Sequence, residues 1–226
     1  MIILAIETSN DVCGAALIED GKISAEKNLI LPKNSSSEIF GLVGKISRGK
    51  KISAVAVDIG PGSFTGIRIG VSMARAYSQF LGIPAVGIPS LDCMAYNAAA
   101  ANAAPVRPKD VRHHCICPVI DALRNEVYTA RFEGLKRKSR YGIVEICDLE
   151  KFFGPCAAVA GSMCLLKKIS GKFKRVETCL TAGAVGMLAL EKLKRNGLRT
   201  DYSRILPFYM RKSFAEERSA AKKVRK

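Results

Sequence analysis

A chain of 226 residues in which 48% of the side chains are hydrophobic can bury one large core or two small ones. It holds no apolar run long enough to span a bilayer and no CxxC pair, which argues against a helical membrane protein and a dithiol redox or metal motif. The formal net charge of +16 is unevenly spread: residues 1–105 hold nine Lys/Arg against eight Asp/Glu, whereas residues 106–226 hold 27 against 12.

Residues 1–6 are almost wholly apolar, as in a central strand, and break into Glu7-Thr8-Ser9-Asn10, placing an acid and two hydroxyls at the strand's mouth. Residues 12–18 and 22–29 are joined by Glu19-Asp20-Gly21, and Asp-Gly is a strong hairpin signal, so the chain opens with a three-stranded meander. Ser35 and Glu38 form a capping box before a helix whose Ile39, Phe40, Leu42, Val43 and Ile46 are expected on one face. A β-branched strand over 52–57 ends at Asp58. After it come a glycine-rich turn, a helix over 65–81, a short strand over 85–88 and an alanine-rich helix opened by Ser90. The order is βββαβαβα.

The turn is Gly60-Pro61-Gly62-Ser63-Phe64-Thr65-Gly66-Ile67-Arg68-Ile69-Gly70. Ile67, Val71, Ala74, Tyr77, Ser78 and Leu81 follow at helical spacing, so the turn hands unpaired amides to a helix N-terminus, a place that favours anions. It matches neither the Walker pattern nor the dinucleotide fingerprint. Two readings stand. Either Glu7, Thr8, Ser9, Gly60, Gly62, Ser63, Thr65, Gly66 and Arg68 surround a phosphate or nucleotide, or the glycines only let a helix lie tightly on a sheet.

A domain boundary is expected in 102–112, where Pro105, Pro108 and Lys109-Asp110 interrupt the alanine-rich helix, giving lobes 1–105 and 106–226. The second half alternates strands (115–121, 126–132, 141–146 and 157–160) with short helices, then a longer helix over 181–195. Its basic excess gathers in Lys136-Arg137-Lys138-Ser139-Arg140, in Lys167-Lys168 with Lys172, Lys174 and Arg175, and in Lys222-Lys223-Val224-Arg225-Lys226. These are either solvated loops or a phosphate-contacting surface, with Lys136, Arg137, Lys138 and Arg140 the candidate nucleic-acid contacts.

No metal site is expected. The histidines are adjacent, at His113 and His114, and in a strand the ligands of His113, Cys115 and Cys117 would stand about 6 to 7 Å apart, too far to converge on one ion. The other cysteines, at 13, 93, 147, 156, 164 and 179, sit among apolar neighbours and read as small hydrophobes in a reducing cytoplasm, and no export signal is seen.

The order of elements, with a hydroxyl turn after the first strand and a glycine turn after a later one, resembles the actin, sugar-kinase and Hsp70 superfamily (ASKHA, RNase H-like). This implies an α/β fold of two lobes with βββαβα-type mixed sheets. More narrowly, Ala5-Ile6-Glu7-Thr8-Ser9, the glycine run, Pro118-Val119-Ile120-Asp121-Ala122-Leu123-Arg124-Asn125-Glu126-Val127-Tyr128 and Pro207-Phe208-Tyr209-Met210-Arg211 resemble the TsaB (YeaZ) family of tRNA threonylcarbamoyladenosine biosynthesis proteins. Two departures stand out: Ser36 where the family commonly has His, and Glu7 where the superfamily commonly has Asp.

The resemblance implies a cytoplasmic, non-catalytic subunit with no cofactor of its own, ATP or ADP being bound within a complex. Its partners would be a TsaD homologue that transfers the threonylcarbamoyl group and a TsaE homologue that hydrolyses ATP, with tRNA met through the complex and no membrane involved. The N-terminal helices would pair with TsaD through Phe40, Val43, Val71 and Ala74, and would allow a homodimer when the chain is alone. A peptidase, a label this family has carried, would need a metal or an activated nucleophile, and neither is visible. The alternatives are a self-sufficient nucleotide hydrolase or phosphotransferase using Glu7 as its metal- or water-orienting carboxylate, and a general RNA-binding protein using the basic half.

Overall fold

Alternation along five strands decides which helices cover which side of the first sheet. In the computed structural model, which describes residues 1–10, 12–30, 36–101, 115–154, 157–196 and 201–211, β1 (Ile2–Glu7), β2 (Val12–Glu19) and β3 (Lys22–Ile30) form an antiparallel meander. β4 (Ala54–Asp58) and β5 (Ala85–Ile88) join in parallel beside β1, giving the order β3-β2-β1-β4-β5. The helices are α1 (Ser36–Ser47), α2 (Phe64–Leu81), α3 (Ser90–Ala101), α4 (Leu149–Phe153), α5 (Met163–Lys168) and α6 (Ala182–Asn196).

Leu4, Ile6, Ala15, Leu17, Val55 and Val57 face α1 and α2, which answer with Ile39, Leu42, Val43, Ile67, Val71 and Ala74. Ile3, Ala5, Ala16, Ile18, Ala54 and Ala56 face the other way, onto Val185, Ala189, Leu190 and Leu193 of α6 and Cys93 and Met94 of α3. Strands apolar on both faces need cover on both.

The second sheet contains β6 (Cys115–Asp121), β7 (Glu126–Thr129), β8 (Phe132–Glu133), β9 (Lys136–Arg137), β10 (Gly142–Glu145), β11 (Ala157–Gly161) and β12 (Lys174–Glu177). Its main path is β10-β7-β6-β11-β12, with β8 and β9 as a hairpin beside β6. β6 pairs antiparallel with β7, β7 antiparallel with β10, β6 parallel with β11 and β11 parallel with β12. That is the pairing of the first sheet, strand for strand. Leu149, Phe153, Leu165 and Leu166 of α4 and α5 close one face of it, and Ala98 of α3 packs on the other against Ile116, Ala158 and Ala160. Helices and sheets therefore stack in five layers, with α3 and α6 between the two sheets.

Tertiary packing corrects several expectations. The lobe expected to hold all of 106–226 does not: α6 returns to cover the first sheet, whose second face α1 and α2 cannot reach, and Ile205 enters the core under α2. The strand expected over 126–132 breaks into β7 and β8 where Pro118, which has no N–H to continue the ladder, stands opposite Ala130 in the register. The basic run around Lys174 and Arg175 is a strand, β12, with Val176 turned inward. On α1, Phe40 does not share the face of Ile39 and Val43 but is 55% exposed.

Ser35, Asp110, His113, His114, Cys156 and the run 222–226 lie outside the described residues. Among the described residues no helix is long and apolar enough to cross a membrane.

Candidate functional site

The parallel register of β1 and β4 pairs Ile6 with Val57, so the next residue on each strand, Glu7 and Asp58, meet at the mouth of the sheet. Both are fully buried. Glu7 Oε1 accepts hydrogen bonds from the Ser9 amide at 2.8 Å and the Ser9 hydroxyl at 2.9 Å. Asp58 Oδ1 accepts from the Gly60 amide and the Ser90 hydroxyl, both at 2.6 Å. As ionised groups the two would leave Glu7 Oε2 and Asp58 Oδ2 without a donor among the described residues.

A proton held on either carboxyl would supply a donor. Burial first, then the Asp58 charge and the hydrogen bond to Asp58, hold the Glu7 carboxyl well above the usual carboxylate range. Burial also raises Asp58, against the opposing hydrogen bonds from Glu7, Ser90 and Gly60. Of the two, Glu7 is the carboxyl whose neutral form burial and its neighbour favour more strongly.

The two turns above this pair are packed onto each other. A Cβ on Gly62 would lie 2.4 Å from the Ser9 carbonyl oxygen, and one on Gly66 would lie 1.8 Å from that of Thr8. The Thr8 hydroxyl donates to the Gly66 carbonyl at 2.7 Å, and the Ser63 amide donates to the Ser9 carbonyl at the same distance. Thr8 and Ser9 are buried with their hydroxyls committed to the protein. Ser63 caps α2 by accepting from the Gly66 amide. Thr65 is exposed and Gly60 is buried.

Arg68 turns to the chain's closing segment: its Nε donates to Tyr209 Oη at 2.9 Å and its guanidinium lies 4.1 Å above the Phe64 ring, which stacks on Tyr209. The Phe208 amide donates to the Ile59 carbonyl at 2.7 Å. In this arrangement the residues expected around a phosphate serve each other, and Glu7 presents no surface to water or to an ion. The geometry is that of the close-packed turn.

The residues that sequence reasoning left out are Asp58, Ser90 and Tyr209. Asp58 was visible as a strand end, but nothing local tells that its strand lies beside β1. Tyr209 stands 141 residues from Arg68.

Of the expected partner residues, Val43, Val71 and Ala74 are buried under the first sheet, because they carry the helical stripes that cover it. Phe40 remains outside, and Phe80 and Leu81, at 89% and 45% exposure, join it as apolar surface. Gly41 and Gly44 on the outer side of α1 have open space where a Cβ would be. Lys136, Arg137, Lys138 and Arg140 are all exposed on or beside the β8–β9 hairpin.

Cys115 and Cys117 bring their sulfurs to 3.8 Å, closer than strand spacing implies, within an apolar cluster that raises the Cys117 thiol far above its ordinary range. Glu145, Cys147 and Asp148 group their ligand atoms within 4.8 Å of one another, all exposed.

The family model described as TsaD, tRNA N6-adenosine threonylcarbamoyltransferase, matches residues 46–151. The tRNA threonylcarbamoyladenosine biosynthesis protein TsaB of Bacillus subtilis is 34% identical over 140 residues, 59% of this chain and 56% of that one. The TsaB of Escherichia coli is 34% identical over 138 residues, 59% of this chain and 55% of that one. The chain thus spans little more than half the length of these curated relatives. YeaZ from Pseudomonas aeruginosa superposes over 92% of this chain and 99% of that one, with a TM-score of 0.74 at 20% identity, which speaks for the fold alone. Sequence matches and fold agree in supporting a likeness to the TsaB (YeaZ) proteins.

Proposed function

We propose that the chain is a non-catalytic subunit in the formation of threonylcarbamoyladenosine on tRNA, pairing with a TsaD-type transferase alongside a TsaE-type ATPase. The observation that carries this is the closed mouth. Where a self-sufficient ASKHA enzyme would need an open cradle and an ionised carboxylate, Glu7 and Asp58 are fully buried with Glu7 held toward its neutral form, and Thr8 and Ser9 are bonded to the glycine turn. Kinship with proteins named for this pathway supports the assembly. The chain needs no cofactor of its own in this reading, and ATP or ADP is handled elsewhere in the complex.

The outer surfaces of α1 and α2 suit a partner better than water. Phe40 and Phe80 expose large apolar rings, and Gly41 and Gly44 weaken an exposed helix by roughly 0.5–1 kcal/mol each relative to Ala with no contact among the described residues to explain them. Co-purification with the same organism's TsaD homologue tests the reading. The chain is expected to form a stable complex that Phe40→Glu with Phe80→Glu abolishes while circular dichroism stays unchanged. No complex at micromolar concentration, together with ATP hydrolysis by the isolated chain, would overturn it. The same variant is expected to remove any self-association of the chain alone.

A further inference from the structure

Residues 131–140 carry five basic side chains and one acid, and all six are exposed. The acid, Glu133, is paired with Lys138. Arg131, Lys136 and Arg140 form no ion pair among the described residues, so three guanidinium or ammonium groups face solvent along one hairpin.

The hairpin is held from both lobes. Phe132 is buried against Leu91 and Ala95 of α3. The Lys138 amide donates to the Arg131 carbonyl at 2.7 Å, and the Arg131 amide donates to the Ser139 hydroxyl at 2.9 Å. Tyr141, at the hairpin's exit, donates its hydroxyl to Asp92 of α3 at 2.7 Å and packs against Phe208. Arg137 lies 3.9 Å over the Tyr141 ring, which holds its guanidinium in place while the residue stays exposed. Cations held on such a frame lose less freedom on meeting a polyanion than cations on an unsupported loop.

We infer that the β8–β9 hairpin is an RNA-backbone contact surface, in which Arg131, Lys136 and Arg140 meet successive phosphodiesters and Arg137 is held beside them by Tyr141. The choice of RNA over other polyanions rests on the reading of the chain as a subunit of a tRNA-modifying assembly. A lipid surface asks for an apolar face beside the cations, and the hairpin exposes one such residue, Leu135. Contacts of this class position an RNA without reading its bases.

The test is binding of the full chain, alone and with its TsaD homologue, to an unmodified tRNA anticodon stem-loop from about 50 to about 200 mM salt. The variant is Arg131→Gln with Lys136→Gln and Arg140→Gln. The charge-matched control is Lys167→Gln with Lys172→Gln and Lys194→Gln, all exposed positions away from the hairpin.

The hairpin variant is expected to bind roughly tenfold or more weaker at the lowest salt, and to lower the slope of log affinity against log salt by about 2, from three lost single-strand contacts. The control should lose much less, and both variants should keep their circular dichroism and their pairing with the TsaD homologue. Equal losses in variant and control would reduce the effect to net charge and overturn the surface. So would no binding by the wild type, or binding to phosphatidylserine vesicles without binding to RNA. RNA binding that maps to the hairpin while the TsaD homologue fails to pair would keep this surface and overturn the assembly.

Discussion

The two sheets share strand order and pairing sense, yet their mouths differ in chemistry. In the first, β1 ends on Glu7 and β4 on Asp58, both buried, with the Glu7 carboxyl held well above the usual carboxylate range by burial and by Asp58. In the second, the equivalent strands β6 and β11 end on Asp121 and Gly161. Asp121 is exposed, accepts the Leu123 amide at 2.7 Å and lies 3.8 Å from Lys168. Topology therefore places strand ends together without deciding what they do. The difference comes from cover: Ser90 of α3 and the interlocked turns seal the first mouth, while the second stays open to water.

The sharpest break in this comparison is Gly66→Ala. The new Cβ would meet the Thr8 carbonyl oxygen at 1.8 Å, so the two turns must part. A loss of about 3 kcal/mol in urea unfolding is expected, at the upper end of overpacking costs; an unchanged midpoint would mean that the turns are not locked together.

Glu7→Gln is next, because an amide keeps a donor for Asp58 and an acceptor for Ser9. The folded-state pKa of Glu7 lies above its unfolded value. Below the unfolded value both states hold the proton and there is no penalty. As pH rises past it, the unfolded chain releases the proton while the native chain keeps it, so stability falls until the raised folded pKa is reached. The variant should therefore match the wild type in acid and become the more stable toward neutral pH. The difference should grow by at most about 1.4 kcal/mol per pH unit, the slope of one proton. Parallel stability curves for the two proteins would mean that the native Glu7 holds no such proton.

Asp121→Asn in the second mouth should change stability by less than about 1 kcal/mol in the same unfolding measurement, as for an exposed ion pair. The smallest effect is expected at Gly41→Ala on the outer side of α1. It should stabilise the isolated chain by about 0.5–1 kcal/mol in the same unfolding measurement, and a destabilisation would mean that α1 is not open to solvent there.

Much of the first sheet was legible. The hairpin at Asp20-Gly21 and the apolar run of β1 are local signals, and each became the element it announces. The glycine turn was legible as a turn but ambiguous as a site, since glycines that admit a phosphate and glycines that admit a neighbouring backbone look alike in one dimension. Burial at 0–3% of Glu7, Thr8 and Ser9 separates the two. The helices' apolar residues were legible too, but not their sidedness. Phe40 and Val43 stand within one turn on α1, and only the sheet beneath shows that Val43 covers it and Phe40 does not.

By itself the sequence determined strands, turns, helices, family likeness and the concentration of positive charge in the second half, because these depend on neighbours a few residues apart or on composition. The tertiary structure decided the carboxylate pair, the return of α6 to the first sheet, the clasp of Arg68 by Tyr209 and the footing of the basic hairpin on α3. Each of these joins residues dozens or more positions apart, whose meeting is set by which apolar faces remain uncovered once the local elements have formed.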